Sequence, residues 1–360
     1  MSKTVFVLGA GFSAPAGMPL QSEIMFDVLR SYSQPVQETT RRIYAILFNI
    51  VDPEAMRTVP LEDVFTMLDR ANHYGEVIPG FGHREIRDSL VALVQAITDD
   101  FQKKLLKCDL SRYRPFFEAL VRCRKGDGSV RAQQDDPFSL VSFNWDTIPD
   151  HLIMQASDEE SGIDYTCYDY DIEEDTNHTP SILRKAKGLF NIKLLKPHGS
   201  LNWAKCPSCN RIFSKNCTDC IPILFPQEYK CRFCTKVDLE NVMITPTFVK
   251  DIGQTHLKLV WHNIQRDLQE AKRIVFLGYS LPLADFEFRY TLLKAVISNS
   301  KVALRVVLFP PDSEIQNERQ RVEREQTEER FRNFFGQRDV EIKYLNVIDF
   351  MSDDYLVWCW

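Results

Sequence analysis

The sequence predicts an α/β fold: a doubly wound parallel sheet carrying a helical insertion and a small zinc-ribbon module. Three observations lead to it. Short apolar runs of the buried-strand kind recur at Thr4 to Leu8, Phe138 to Phe143, Ile192 to Leu195, Arg273 to Leu277, Val302 to Phe309 and Val340 to Leu345, and helical patterns separate several of them. The first run leads directly into Gly9-Ala10-Gly11-Phe12-Ser13-Ala14 and then an amphipathic stretch. That order of strand, tight turn and helix presents backbone N–H groups to a diphosphate, as in Rossmann-like dinucleotide folds. Six of the ten cysteines form the C-x-x-C pairs Cys206/Cys209, Cys217/Cys220 and Cys231/Cys234, a spacing that suits metal ligation.

Taken in order, the first strand is followed by a helix over about Pro15 to Ser31. From about Gln34 to Arg124 the pattern stays helical, as in Glu62 to Leu68 and Ile86 to Leu106, where apolar residues fall three and four apart. This reads as a helical insertion that leaves through the polar loop Lys125 to Asp136. A helix near Leu257 to Ala271 precedes the fourth run, and a charged helix over Asp312 to Phe335 precedes the last. The expected division is a Rossmann-like domain from 1–33, 136–205 and 238–350, the insertion at 34–135, the zinc module at 206–237, and an aromatic tail at 351–360.

With 360 residues and 44% hydrophobic content the chain is long enough for a substantial core. Its net charge of -6 gives no basic field, so neither direct nucleic-acid binding nor an anionic membrane is an expected partner. Met1-Ser2-Lys3 runs straight into the first strand, and no apolar run approaches the roughly 20 residues that span a bilayer. The expected location is cytoplasmic. Cys108, Cys123, Cys167 and Cys359 are scattered and read as small buried hydrophobes.

Ligands of a doubly wound sheet bind outside the carboxyl ends of its strands. On that rim the sequence sets Gly9 to Ser13, then Asn144 and Asp146 after the second run, His198 after the third, and Gly278-Tyr279-Ser280 after the fourth. Singly each has a bland reading as a turn former or a core imidazole; together on one edge they form a candidate site. For the zinc, two knuckles supply four thiolates and leave no open coordination position, so the metal would be structural. Spacing alone admits either Cys217/Cys220 or Cys231/Cys234 beside Cys206/Cys209. The acidic stretch Asp169 to Asp175 and the charged run Glu318 to Arg332 read as solvated surface, His256 and His262 lie six apart and so on different helical faces, and His151 sits a turn away from the rim.

These motifs resemble, in order, those of the sirtuins and more closely their bacterial sirtuin-like NAD-hydrolysing relatives. Gly9-Ala10-Gly11-Phe12-Ser13 with Ala16-Gly17-Met18-Pro19 looks like the first glycine motif, Ser142-Phe143-Asn144-Trp145-Asp146 the Asn-x-Asp motif, His198-Gly199-Ser200 the catalytic histidine motif, and Gly278-Tyr279-Ser280-Leu281 the late Gly-x-Ser motif. The resemblance implies cleavage of the nicotinamide–ribose bond of NAD+, used as substrate. Asn144 would orient a ribose hydroxyl or the attacking water, Asp146 would bind the nicotinamide ribose, and His198 would be the general base. Gly9, Ala10, Gly11, Phe12, Ser13, Gly278 and Ser280 would cradle the dinucleotide. It also implies a structural Zn2+ on Cys206, Cys209, Cys231 and Cys234. Two departures bear on the acceptor: Pro19 is followed by Leu20-Gln21-Ser22 where deacylating sirtuins carry Asp-Phe-Arg, and Val242 to Phe248 stands where they carry a Phe-Gly-Glu peptide-pairing segment. Water then becomes the acceptor, giving ADP-ribose and nicotinamide. The rival readings are an NAD-dependent deacylase or ADP-ribosyltransferase, and a non-enzymatic nucleotide-sensing subunit. Relatives of this kind act in bacterial anti-phage defence beside an ATPase or another sensor, which implies a partner protein gating the activity. The insertion and the terminal Tyr355-Leu356-Val357-Trp358-Cys359-Trp360 further suggest a homo-oligomer.

Overall fold

The computed structural model describes residues 3–126, 137–157, 161–166, 181–182, 190–215, 221–223, 229–234, 237–248, 255–308 and 318–352. Seven parallel strands form the main sheet: β1 (Thr4–Leu8), β2 (Phe138–Ser142), β3 (Ser161–Asp164), β5 (Phe190–Leu195), β9 (Arg273–Leu277), β10 (Ala303–Leu308) and β11 (Val340–Tyr344), ordered β11-β10-β9-β1-β2-β5-β3. The apolar runs thus become strands as expected, within a residue or two at their ends. From β1 the chain moves to β2 and outward, returns to β9 on the other flank, and continues to β10 and β11. The junction of β1 and β9 is therefore the topological switch point, where a ligand crevice belongs.

Helices cover both faces. Phe6 on β1 meets Phe116 of α7 (Arg114–Lys125) with ring centroids 5.7 Å apart. Phe276 on β9 packs on Phe331 and Phe335 of α11 (Glu318–Phe335). Phe276 is in register with Val7, the neighbour of Phe6, and successive side chains leave opposite faces of a sheet, so α7 and α11 lie on opposite sides. Both residues are fully buried.

The helix expected over Pro15 to Ser31 is instead broken. A one-turn helix α1 (Ala10–Ser13) and a 3-10 turn (Ala14–Ala16) end at Gly17 with φ 97°, and α2 (Gln21–Ser31) starts anew after Pro19. Glycine in the left-handed region terminates a helix, and the residue before a proline avoids helical ψ. The range expected as an insertion holds α3 (Gln34–Phe48), α4 (Pro53–Met56), α5 (Leu61–Tyr74) and α6 (His83–Leu105). α7, which falls inside 34–135, packs on the sheet: Tyr113, just before it, donates its hydroxyl to the Phe12 carbonyl at 2.7 Å, and Arg124 donates to the Asn191 carbonyl at 3.1 Å. Insertion and sheet share one apolar core.

The sequence reading did not anticipate the second sheet, four antiparallel strands in the order β4 (Ser181–Ile182), β7 (Ile212–Ser214), β6 (Gly199–Lys205) and β8 (Glu240–Met243). It frames the cysteine module. Gly199 starts β6 with φ 75°, and a Cβ there would lie 1.9 Å from the Val242 carbonyl oxygen. The glycine after His198 is thus required for β8 to dock beside the histidine. The remaining helices are α8 (Ile148–Ala156), α9 (Thr255–Glu270), α10 (Phe286–Ser298) and α12 (Val347–Ser352). No helix among the described residues is long and apolar enough to cross a membrane.

Candidate active site

A cleft of about 560 Å³ opens at the switch point, and Gly9, Ala10, Gly11, Ser13, Asn144, Asp146, His198, Gly278 and Ser280 all line it. Its two glycine turns lock onto each other. Gly11 N–H donates to the Gly278 carbonyl at 2.9 Å, Gly9 N–H to the Leu277 carbonyl at 3.1 Å, and Phe12 N–H back to the Gly9 carbonyl at 2.9 Å. Gly278 has φ 60°, and a Cβ on it would stand 2.1 Å from the Phe12 nitrogen. The first turn is consequently a packed junction more than the open row of donors the motif suggests: three of the four N–H groups of Gly9 to Phe12 already point at the protein's own carbonyls. Phe12 itself lies outside the cleft. Its side chain is fully buried against Tyr113 and Phe117, the apolar surroundings an aromatic ring favours.

Asn144 is held rigidly. Its Nδ2 donates to the Gly9 carbonyl at 2.8 Å and to Ser13 Oγ at 3.0 Å. A carbonyl only accepts, which fixes the amide orientation and leaves Oδ1 as the acceptor of this cleft-lining side chain. Ser13 in turn bonds the Asp146 carboxylate, so the hydroxyl expected to cradle phosphate joins the glycine turn to the Asn-x-Asp turn. Asp146 Oδ1 also accepts from Ile148 N–H at 3.1 Å, closing the turn that leads into α8. Burial pushes the Asp146 carboxyl up, while Lys196, the Ser13 hydroxyl and the Ile148 N–H draw it down.

Lys196 was not among the expected site residues. Its ammonium donates to the Asp146 carbonyl at 2.7 Å, Ser200 Oγ at 2.6 Å and Asp150 Oδ2 at 3.0 Å. Both charged side chains are 0% exposed, and Asp150 also accepts from the Tyr165 hydroxyl. One buried ammonium thereby ties the Asn-x-Asp turn to the histidine turn. Lys196→Met should destabilise the fold by about 3–5 kcal/mol by leaving a buried carboxylate without its counter-ion. Adding Asp150→Leu should restore most of that, as judged by denaturation midpoints; a double variant as unstable as the single one would refute the account.

His198 stands across the cleft, 8% exposed, with its ring edge-on to Phe143 at 5.1 Å. Its Nε2 lies 3.4 Å from Asp285 Oδ1. The mouth is built by elements that sequence reasoning passed over. Glu62 comes from α5 and Phe101 from α6, and Arg324 and Thr327 come from α11, whose charged sequence reads as plain surface. Only one side of α11 is solvated; Thr327 and Phe331 on the other are buried. The segment after β8 closes another side: Ile244 N–H donates to the His198 carbonyl at 2.9 Å, the Thr245 hydroxyl to Asp69 at 2.7 Å, and Phe248 N–H to Thr66 Oγ1 at 2.9 Å.

Away from the cleft, Cys206, Cys209, Cys231 and Cys234 bring their sulfurs within 4.8 Å of one another. The Cys209 and Cys231 sulfurs are 3.8 Å apart, far beyond a disulfide. Zn–S bonds of about 2.3 Å set tetrahedral thiolates about 3.8 Å apart, so the cluster fits a structural zinc. Burial pushes the Cys206 thiol up to about 11, while at Cys209 burial is outweighed by the Arg211 N–H and guanidinium, which bring the thiol down to about 6. Asn210, at φ 57°, turns the first knuckle and donates its N–H to the Cys206 carbonyl at 2.9 Å. Cys217 and Cys220 lie outside the described residues, as do Asp169 to Asp175 and the aromatic tail from 353 on. His256 bonds the Asn210 carbonyl at 2.5 Å.

No family model and no curated protein matches the chain. Among solved structures it is similar to a Sir2 homolog in complex with NAD (16% identity, 98% of this chain and 87% of that one covered, TM-score 0.40). It is also similar to a mutant Sir2 homologue bound to ADP-ribose (15%, 94% and 95%, TM-score 0.36) and to Sir2 with a p53 peptide and NAD+ (12%, 98% and 92%, TM-score 0.37).

Proposed function

We propose that this chain is a sirtuin-like NAD+ glycohydrolase. The observation that carries the reading is the meeting of Asn144, Asp146 and His198 with both glycine turns in one cleft at the switch point. Breaking the nicotinamide–ribose bond passes through an oxocarbenium-like state, so a site must hold the ribose, limit water and aim one nucleophile. Asn144 Oδ1 accepts from the ribose hydroxyl or the attacking water, and Asp146 and its backbone set the wall beside the ribose. His198 supplies an imidazole, the side chain best matched to accepting a proton at neutral pH. The glycosidic electron pair leaves with the nicotinamide nitrogen, the water oxygen bonds the anomeric carbon, and its proton goes to His198 and on to solvent.

Water is favoured over an acyl-lysine because the stretch that would pair with a peptide is occupied. Extended peptides bind by adding to free backbone donors and acceptors, whereas Ile244 and Phe248 N–H are bonded to His198 and Thr66. The further proposals that NAD+ depletion serves anti-phage defence, and that a homo-oligomer and an ATPase or sensor partner gate it, rest on the family resemblance. The zinc supplies no chemistry at the cleft. NAD+ added to the purified chain together with the candidate partner should release nicotinamide and ADP-ribose in equal amounts, unchanged by an acetylated peptide. Nicotinamide release that requires the peptide would establish the deacylase reading instead, and NAD+ bound but not cleaved, with or without candidate partner, would establish the sensing one.

A further inference from the structure

The residue pattern gave Asp285 no role, yet among the described residues it is the carboxylate within ion-pair reach of the histidine. We propose that Asp285 is a positioning residue for His198: together with Tyr279 it fixes the imidazole and stabilises its protonated form. This rests on the hydrolase reading above for its use, but not for its geometry. Asp285 Oδ1 is 3.4 Å from His198 Nε2, and Asp285 Oδ2 accepts the Tyr279 hydroxyl at 2.7 Å. All three are nearly buried, at 8%, 6% and 4% exposure for His198, Asp285 and Tyr279. In such surroundings an ion pair is weakly screened.

The backbone delivers Asp285 to this place at some cost. Leu281, between Ser280 and Pro282, has φ 52°, a conformation that a branched side chain avoids. Arg289 holds the turn by donating to the Leu281 carbonyl at 3.2 Å, and Asp285 N–H closes it on the Pro282 carbonyl at 3.2 Å. Strain retained beside a cleft and over-determined by the surrounding bonds is the mark of a functional constraint. Tyr279 is suited to its part: burial first, and then the Asp285 charge, push its phenol well above the ordinary value, so it stays a donor. Its ring is clamped by Phe143, Phe276 and Phe288.

Other charged groups share the surroundings of His198. Asp146 and Glu62 line the same cleft from the Asn-x-Asp turn and α5. Asp69 of α5 is bonded to Thr245, next to the residue that bonds the His198 carbonyl. Arg289 and Arg330 stand one layer back, on the carbonyls of Leu281 and Ser280. Among the described residues only Asp285 is within ion-pair reach of the ring. When water attacks the anomeric carbon and its proton passes to His198, Asp285 stabilises the imidazolium without taking the proton. This is the role of the acidic member of a base–acid pair.

The test is a ring-nitrogen NMR titration of the ligand-free chain, with His198 assigned by its loss in His198→Gln. Asp285→Asn keeps the shape and removes the charge. The His198 midpoint should fall by about one pH unit, a tenfold change in proton affinity. Tyr279→Phe, which removes the donor that tempers Asp285, should raise the midpoint; a packing role would not send the two in opposite directions. An unchanged midpoint in Asp285→Asn overturns the proposal. If that variant does not fold, an unchanged or lowered midpoint in Tyr279→Phe overturns it. In the NAD+ assay Asp285→Asn should lower kcat at least tenfold, move the acidic limb of the pH profile down with the midpoint, and leave KM within threefold. A wild-type chain that cleaves no NAD+ with or without the candidate partner, but shows the midpoint shifts, would refute the hydrolase reading and leave the Asp285–His198 pair standing.

Discussion

His198→Ala should lower NAD+ cleavage by about 10²–10⁴-fold, the range removed with a general base, while the protein still folds and melts as one unit. The imidazole makes an edge contact with Phe143 and faces Asp285, and the backbone around it is held by other groups, Gly199 against β8 and Ile244 N–H on the His198 carbonyl. Deleting the ring therefore removes chemistry more than structure. Asn144→Ala should reduce the rate comparably through a different loss, since it deletes Oδ1 and also the two bonds that tie Asn144 to Gly9 and Ser13. It should carry an additional stability cost of about 1–3 kcal/mol that His198→Ala lacks. The double variant should be little slower than the worse single one, because members of one catalytic unit do not add. Nicotinamide release by His198→Ala at near wild-type rates would make the histidine structural and the mechanism wrong.

Much of the main sheet was legible because its central strands are buried on both faces, and burial writes itself as an apolar run. Thr4–Leu8 and Arg273–Leu277 appear in the structure as the runs indicate. β6 (Gly199–Lys205) was not legible: polar and apolar residues alternate only over Ser200 to Trp203, and its strand conformation comes from pairing with β7 just after it and with β8 farther along the chain. The break at Gly17 was written in the sequence as a glycine two residues before a proline, a signal the amphipathic stretch obscured.

The site divides in the same way. Residues of recognised motifs fall on the rim because strand ends bring them there. Residues that act through a partner were invisible: Lys196 acquires its role from Asp150, and Asp285 from His198. Each partnership joins segments whose approach is decided by the whole sheet, and one carboxylate in a sequence looks like another. Phe12 marks the converse limit, a member of the glycine motif whose side chain serves the core.

Removal of zinc should have the largest effect on stability of any single change. The cysteine module's own apolar core consists of Ala204, Cys206, Phe213, Cys231 and Leu239. Burial of its large members, Phe213 and Leu239, contributes about 1.5–3 kcal/mol each, against about 1–2 kcal/mol for every backbone residue ordered. A structural zinc supplies about 10–16 kcal/mol of apparent binding energy and decides that balance. Anaerobically purified protein should contain one zinc per chain, and Cys206→Ser or chelation should lower the melting temperature by about 10 °C or more. The same treatment should open the stretch from β6 to β8 to proteolysis. Cleavage of NAD+ should fall as a consequence, because β6 begins directly after His198 and β8 leads into Ile244, whose N–H bonds the His198 carbonyl and whose carbonyl accepts the Trp145 indole N–H at 3.2 Å. Zinc restored to the chelated wild type should recover both stability and rate, whereas Cys206→Ser should recover neither. Protein free of zinc as purified, or Cys206→Ser melting with the wild type, would show that the four thiols fold without a metal.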